Sequence, residues 1–196
     1  KEALVLLKGK NSFENKVAYQ KVAFFRGIEL YNETKYNEAL GLFTNSLKEA
    51  HVSLFVAKAT FWKAETEYNL TNYNDALIGF KQFNGLAEAS SLPENDNLDY
   101  NLAYTYFKLK DYTNASAYFK KYIDKNSDDR LRRNDAYLRL ADGHFVSSQY
   151  QSAIKAYKKA IQINDIETDY AAFQTAMSQG YLGKSSTKIS ELKSFI

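Results

Sequence analysis

The sequence predicts an all-α fold, an α-solenoid built from about five antiparallel helix pairs. Three observations predict it: a short phrase recurs at a nearly constant spacing, small residues recur in phase with it, and helix breakers are rare. The chain of 196 residues has one proline and eight glycines. So few breakers favour helices over a fold of many strands joined by turns.

The recurring phrase is a tyrosine, two polar residues, an alanine, and an aromatic residue four places later. Its alanines lie 37, 39 and 38 residues apart, and a degenerate fifth copy follows with Ser185, Lys188 and Leu192 in the three places. A fixed period of this length is the signature of a repeat architecture. The four full copies are Tyr36/Ala39/Phe43, Tyr73/Ala76/Phe80, Tyr112/Ala115/Phe119 and Tyr150/Ala153/Tyr157.

A second small residue stands twelve places before each alanine, and before Lys188 in the fifth copy. Two small residues per repeat let two helices approach closely, because a larger residue at either place would cost about 1–3 kcal/mol through overpacking. We expect the tyrosine of the phrase to pack back on the first helix of its pair. The aromatic residue after the alanine lies one turn further along the same face. The earlier small residues are Gly27, Ala64, Ala103, Ala141 and Ala176.

The phase of these residues predicts the helices in order. The first (A) helices are expected near residues 15–32, 52–69, 97–109, 131–147 and 168–181, and the second (B) helices near 36–50, 73–88, 112–125, 150–163 and 186–196. We predict that the segment 90–97, which holds Pro93, is a flexible joint. Asn72 and Asp111 stand where a side-chain oxygen can cap a B-helix, whereas Lys35 and Gln149 in the same place cap poorly.

We interpret residues 1–196 as a single domain with repeats near 20–53, 57–90, 96–129, 134–167 and 169–196. Residues 1–10 read as the end of a preceding repeat, so we expect the chain to be a fragment of a longer array. In such an array each repeat contacts only its neighbours.

Small residues twelve apart, a tyrosine before the second and an aromatic after it resemble the tetratricopeptide repeat (TPR) family, whose unit is a 34-residue helix pair. The resemblance covers residues 20–196 and implies a right-handed superhelix. The sequence departs from the family in its longer period, in lacking the proline at the repeat end, and in Glu67 and His144, which replace an aromatic residue. It is also similar to long TPR arrays of bacterial cell-envelope proteins of the Bacteroidota type, which implies a periplasmic or outer-membrane-associated protein. The absence of cysteine fits the cytoplasm equally well, so a cytoplasmic location stays open.

The resemblance implies a non-catalytic protein–protein interaction scaffold that binds a partner protein or peptide in a concave groove lined by the A-helices. The chaperone adaptors of the family hold acidic tails with a polar clamp, and this chain lacks that clamp because the fifth position of every repeat is aromatic or leucine. The groove is instead rich in tyrosine and phenylalanine, which protein interfaces favour. About half of these rings should simply pack between repeats. The positions carried over as partner-binding are Lys21, Phe24, Tyr31, Lys58, Phe61, Tyr68, Tyr100, Tyr104, Phe107, Phe145 and Phe173.

Catalytic and metal-binding motifs are missing from the sequence, so we expect no enzyme activity, no cofactor and no metal. There is no cysteine, and the two histidines, His51 and His144, read as structural or surface residues. One segment has the spacing of a calcium loop, but an aspartate replaces the glycine that its sharp turn needs, and three arginines lie close by. That segment contains Asp124, Asn126, Asp128 and Asp135, with Asp129 in the glycine position.

Two alternative functions stay open at this point. A basic segment interleaved with Tyr118 and Tyr122 could bind nucleic acid, although the net charge is only +3 and aspartates alternate with the basic residues. The chain could also be the regulatory repeat region of a larger enzyme. The basic residues are Lys120, Lys121, Lys125, Arg130, Arg132, Arg133 and Arg139.

Overall fold

The computed structural model describes residues 2–125 and 128–194, and this part of the chain holds eleven α-helices and two short 3₁₀ helices. After α1, the A-helices are α2, α4, α6, α8 and α10, and the B-helices are α3, α5, α7, α9 and α11. The α-helices are α1 Glu2–Leu7, α2 Phe13–Asn32, α3 Tyr36–Lys48, α4 Ser53–Asn69, α5 Tyr73–Asn84, α6 Leu98–Lys108, α7 Tyr112–Asp124, α8 Arg130–Val146, α9 Tyr150–Ile163, α10 Thr168–Tyr181 and α11 Ser185–Lys193.

The predicted all-α solenoid is confirmed, and the helix order matches the predicted A and B order throughout. Three residues join the A-helix to the B-helix in every pair, and so short a connection makes the two helices antiparallel neighbours. The chain divides into two compact units, unit 1 (Lys1–Leu98) and unit 2 (Asp99–Ile196). The single-domain assignment and the continuation of the array stay predictions.

The segment before α6 differs from the expectation. α5 ends at Asn84 rather than near residue 88, and 3₁₀ helices occupy Ala89–Ser91 and Pro93–Asn97. The indole Nε1 of Trp62 donates to Glu94 at 3.1 Å, which ties the second 3₁₀ helix to α4. The flexibility that we predict for this segment stays a prediction.

The turn between the two helices of each pair has one backbone conformation throughout. The residue two places before each B-helix has a positive φ: 59° at Thr34, 64° at Thr71, 62° at Lys110, 58° at Ser148 and 77° at Gly183. The next N–H then donates to the carbonyl five residues earlier, for example from Lys184 to Gln179 at 3.0 Å. This is the Schellman ending of an α-helix, which satisfies carbonyls that the helix itself leaves unpaired.

The cap predictions are confirmed at three of four B-helices. Asp111 accepts a hydrogen bond from the backbone N–H of Asn114 at 3.1 Å, and Lys35 and Gln149 make no side-chain cap. The prediction for Asn72 is wrong. Its amide nitrogen donates to the carboxylate of Glu67 at 2.8 Å, and its side chain makes no cap bond to α5.

The repeated alanines and aromatic residues form the core of each unit. Gly27, the alanines of the phrase and the aromatic residue four places after each alanine in the four full copies are all buried. A Cβ added to Gly27 would come within 2.7 Å of the Phe43 ring, so only glycine fits against that phenylalanine. Close helix contact at the small residues is therefore what the sequence phrase encodes.

Candidate interaction surface on the A-helices

The predicted partner-binding residues fall into three groups by burial. Phe24 and Phe61 are only 4% and 5% exposed. Lys21 and Phe173 are exposed, Phe173 at 47%. The remaining seven are half-buried: Tyr31, Lys58, Tyr68, Tyr100, Tyr104, Phe107 and Phe145.

Phe24 and Phe61 are among the rings that pack inside the repeats rather than facing a partner, as we expect for about half of the predicted rings. The Phe24 ring meets Phe43 and Phe55 at centroid distances of 6.0 and 5.4 Å. Phe61 meets Phe83 of its own pair at 5.1 Å. In the first two repeats, the aromatic ring at the fifth position therefore fills the space behind the A-helix and offers little surface to a partner.

Each pair of the first four repeats carries one edge-to-face aromatic contact across its turn. The A-helix ring meets the tyrosine that opens the B-helix five residues later, which confirms that this tyrosine packs back on the first helix. The contact fixes the ring close to the turn while leaving part of it accessible. The pairs are Tyr31–Tyr36, Tyr68–Tyr73, Phe107–Tyr112 and Phe145–Tyr150, at 5.4, 5.3, 5.3 and 5.6 Å.

Unit 2 carries a largely buried polar cluster, formed by its A-helices together with Tyr157 of the B-helix α9. The phenols of Tyr100 and Tyr104 in α6 both donate to Oδ2 of Asp135 in α8, at 2.7 and 2.5 Å. The phenols of Tyr157 and Tyr170 both donate to Oδ1 of Asp142, at 2.7 and 2.8 Å. Each aspartate thus joins helices from different repeats.

Arg139 connects the two halves of this cluster. Its guanidinium lies 3.3 Å from Oδ1 of Asp135 and 2.7 Å from Oδ2 of Asp142, and it reaches Glu167 at 3.0 Å. Asp135, Asp142, Glu167 and Arg139 together leave two negative charges, so this part of the surface is acidic. We call Tyr100, Tyr104, Asp135, Arg139, Asp142, Tyr157 and Tyr170 the tyrosine–aspartate cluster.

Burial and the neighbouring carboxylates decide the protonation states in this cluster. Burial, followed by the adjacent aspartates, raises the pKa of Tyr104, Tyr157 and Tyr170 above the usual value for a phenol. For Tyr100, burial and then Tyr104 raise the pKa. Burial lowers the pKa of Arg139, but its acidic and phenolic neighbours outweigh that effect and raise it. The phenols therefore remain neutral donors and the guanidinium remains charged.

Unit 1 has a smaller version of the same arrangement. The amide of Asn69 donates to the Tyr31 phenol at 3.0 Å, and the Tyr31 phenol lies 3.5 Å from a carboxylate oxygen of Glu65. Burial and the Glu65 charge raise the pKa of Tyr31. Here too, a tyrosine of one A-helix is tied to polar side chains of the next.

The sequence analysis did not identify two amide side chains that form hydrogen bonds with the backbone between neighbouring repeats. Gln20 donates to the Val52 carbonyl at 3.2 Å and accepts from its N–H at 2.9 Å. Asn134 donates to the Ile166 carbonyl at 3.2 Å. Both amides are fully buried and occupy the first position of their repeats, so an amide recurring at that position was the available signal.

Several apolar side chains of unit 2 keep large exposed areas at groove positions. Phe173 and Tyr170 lie on α10, and Tyr181 at its end is 58% exposed. Tyr181 stacks on Tyr150 at a centroid distance of 4.8 Å and an angle of 10°, and it meets Phe145 edge-on. These rings form the accessible aromatic part of the surface.

The basic segment that suggested nucleic-acid binding is largely neutralised. Six of its cations pair with carboxylates, including Lys121 and Lys125, which both contact the buried carboxylate of Asp99. Arg133 also has an interaction partner. A nucleic-acid backbone would have to displace these carboxylates, so the arrangement does not favour that function.

The residues with the spacing of a calcium loop and the two histidines make other contacts in the part of the chain that the structure describes. Asn126 lies outside the described residues, Asp124 pairs with Lys120 at 2.6 Å, and Asp135 serves the tyrosine–aspartate cluster. In residues 2–125 and 128–194, no three acidic or histidine side chains come together as a metal site would require. His51 contacts Glu49 at 3.2 Å and His144 contacts Gln149 at 2.7 Å, both near helix ends.

Stacked helix pairs with a polar and aromatic A-helix face define a tandem helical-repeat protein. Residues 100–166 match the family model described as tetratricopeptide repeat. Together with the repeated phrase and the solenoid fold, this match makes the chain similar to the tetratricopeptide repeat family.

The solved structures that resemble this chain have the same fold at low sequence identity. A MamA protein has a TM-score of 0.74 at 19% identity, covering 89% of this chain and 88% of that one. MamA (41-end) from Desulfovibrio magneticus RS-1 has a TM-score of 0.73 at 15% identity, covering 90% and 92%. YrrB, "a TPR protein with an unusual peptide-binding site", has a TM-score of 0.71 at 16% identity, covering 87% and 81%.

No curated protein matches the sequence. Among the described helices, none is both long and apolar enough to cross a membrane.

Proposed function

We propose that this chain is a non-catalytic scaffold that binds a peptide segment of a partner protein on its A-helix faces. The observation that carries the proposal is the tyrosine–aspartate cluster of unit 2, beside which the aromatic rings of α10 remain exposed. Side chains that are already held by hydrogen bonds lose little freedom when a partner binds, so they bind at a lower entropic cost.

The chemistry of the surface favours a partner with apolar or aromatic anchors and without excess negative charge. Phe173, Tyr170 and Tyr181 offer ring faces, while Asp135, Asp142 and Glu167 outweigh Arg139 in charge. Like charges facing each other at an interface cost free energy. An acidic segment should therefore bind poorly here, and a neutral or basic one should bind well.

The A-helix face of unit 1 is proposed as a second contact surface with the opposite charge. Lys21 is exposed and Lys58 half-buried on α2 and α4, and Lys21 lies 5.7 Å from the centroid of the Phe55 ring. A long partner could contact both units. We also propose a periplasmic or outer-membrane-associated location, which would place such a partner in the cell envelope.

Crosslinking and pull-down from the native host with the full-length protein would test this proposal. A Phe173→Ala variant should lose the captured partner, while Ile189→Ala should retain it, because Ile189 is 53% exposed but lies on a B-helix. Circular dichroism must show equal helix content for both variants. A partner retained by Phe173→Ala and lost by Ile189→Ala would move the binding surface to the B-helices and contradict the proposal.

A further inference from the structure

A basic cleft of about 240 Å³ lies in unit 1, where the segment after α1 meets the start of α2 and the end of α3. Four lysines and one glutamate among its lining residues leave a formal charge of +3. This equals the net charge of the whole chain, so the other residues are balanced in charge. The charged residues are Lys8, Lys10, Lys16, Lys48 and Glu49.

In the part of the chain that the structure describes, the four lysines have no ion-pair partner that would neutralise them. Among the described residues, none of them forms an ion pair with a carboxylate, whereas Glu49 contacts His51 at 3.2 Å. Lys16 lies near the first turn of α2, where the helix dipole disfavours a cation. Local helix electrostatics therefore does not explain why this lysine lines the cleft.

Polar side chains that can orient a ligand line the same cleft. Tyr19, Asn11 and Asn45 provide hydroxyl and amide groups that donate or accept hydrogen bonds. The volume is below the range of about 300–1,000 Å³ that accommodates drug-sized ligands, so the cleft suits a smaller one.

From these observations we infer that the cleft is a binding site for a phosphate-bearing ligand, separate from the tyrosine–aspartate cluster of unit 2. A phosphate monoester carries about −1.5 to −2 charges at pH 7 and three acceptor oxygens, so it can receive hydrogen bonds from several lysines at once. A single carboxylate offers less charge against the formal +3. Bound phosphate would replace the mutual repulsion of the lysines with attraction.

Titration of the full chain with pyrophosphate, followed by calorimetry, tests the inference for a soluble ligand. Vesicles of phosphatidylglycerol, compared with phosphatidylcholine alone, test whether the phosphate belongs to a lipid headgroup. A Lys16→Gln/Lys48→Gln variant should weaken whichever binding occurs by about tenfold or more, because two charges close to the ligand are removed. Binding should also weaken as salt is added.

The matched control is Lys155→Gln/Lys158→Gln on α9, which removes the same charge from exposed positions and should bind like the parent chain. Glu49→Gln should tighten binding by about threefold or more, because it removes the one opposing charge. Binding of pyrophosphate or of phosphatidylglycerol vesicles that is lost only in the cleft variant would support the inference. Binding of neither probe, or equal weakening by both double-lysine variants, would overturn it.

Discussion

Single residues in this protein carry hydrogen bonds whose loss leaves several partners unsatisfied. Asp135 accepts from two phenols and contacts Arg139, yet only 8% of its surface is exposed. A buried donor that loses its acceptor costs about 1–3 kcal/mol. Each aspartate of the cluster therefore stabilises the folded chain by more than a single hydrogen bond would.

We predict that Asp135→Ala lowers the free energy of unfolding by about 2–4 kcal/mol, because two phenols and a guanidinium lose an acceptor. Asp135→Asn should cost less, since the amide oxygen still accepts. The exposed Asp96→Ala should stay within about 0.5 kcal/mol of the parent chain. Urea unfolding followed by circular dichroism measures all three, and equal midpoints for Asp135→Ala and Asp96→Ala would contradict the prediction.

The raised pKa values of the clustered phenols predict a loss of stability at alkaline pH. In the unfolded chain a tyrosine ionises near pH 10, whereas burial keeps Tyr104 and Tyr157 neutral above that pH in the folded chain. Their contribution is therefore complete below about pH 10 and is lost as the pH rises above it. Unfolding free energies between pH 8 and 11 should fall less steeply for Tyr104→Phe than for the parent chain. An unchanged slope would indicate that this phenol is not held neutral by its surroundings.

At the scale of the helix pair, the turn is under conformational strain in four of five repeats. Thr34, Thr71, Lys110 and Ser148 adopt the left-handed conformation that Gly183 adopts without cost. A residue with a Cβ pays about 1–2 kcal/mol there. The repeats tolerate this strain because the Schellman hydrogen bonds and the aromatic pair across the turn hold the conformation.

Ser148→Gly should raise the free energy of unfolding by about 0.5–1 kcal/mol, because the strain relieved exceeds the greater chain entropy of glycine. The same substitution at Ser152, inside α9, should lower it by about 0.5–1 kcal/mol. Opposite shifts in thermal midpoint are thus expected from one chemical change at two nearby sites. Shifts of the same sign would show that backbone conformation is not the deciding factor.

The elements also show which features could be predicted from the sequence. Small residues and rings such as Ala115 and Phe119 predicted the positions of the helices correctly. They could do so because they pack against neighbours within the same helix pair. The partners of Tyr100 and Tyr170 lie 35 and 28 residues away, so they depend on how repeats stack, which no local pattern specifies. Asn72 does not cap α5 for a different, local reason, because the turn brings the carboxylate of Glu67, five residues earlier, beside its amide.

At the scale of the whole molecule, the chain has a core in each unit rather than one centre. Phe43 is buried in the core of unit 1, and Leu138 and Tyr157 are buried in that of unit 2. In repeat proteins, stability is approximately a sum of local repeat terms and contacts between neighbours. Damage to one core should therefore be felt mainly in its own unit.

Hydrogen exchange would measure how far such damage spreads. We predict that Phe119→Ala, which removes a fully buried ring at a cost of about 3–5 kcal/mol, accelerates amide exchange in α6–α9 and leaves α2 and α3 protected. Phe43→Ala should do the reverse, because each ring supports only the helices packed around it. The two variants serve as each other's control, since both delete a buried phenylalanine from the same place in the repeat. If both variants lost protection in parallel in all helices, the two units would unfold as one cooperative body, and the prediction would be wrong.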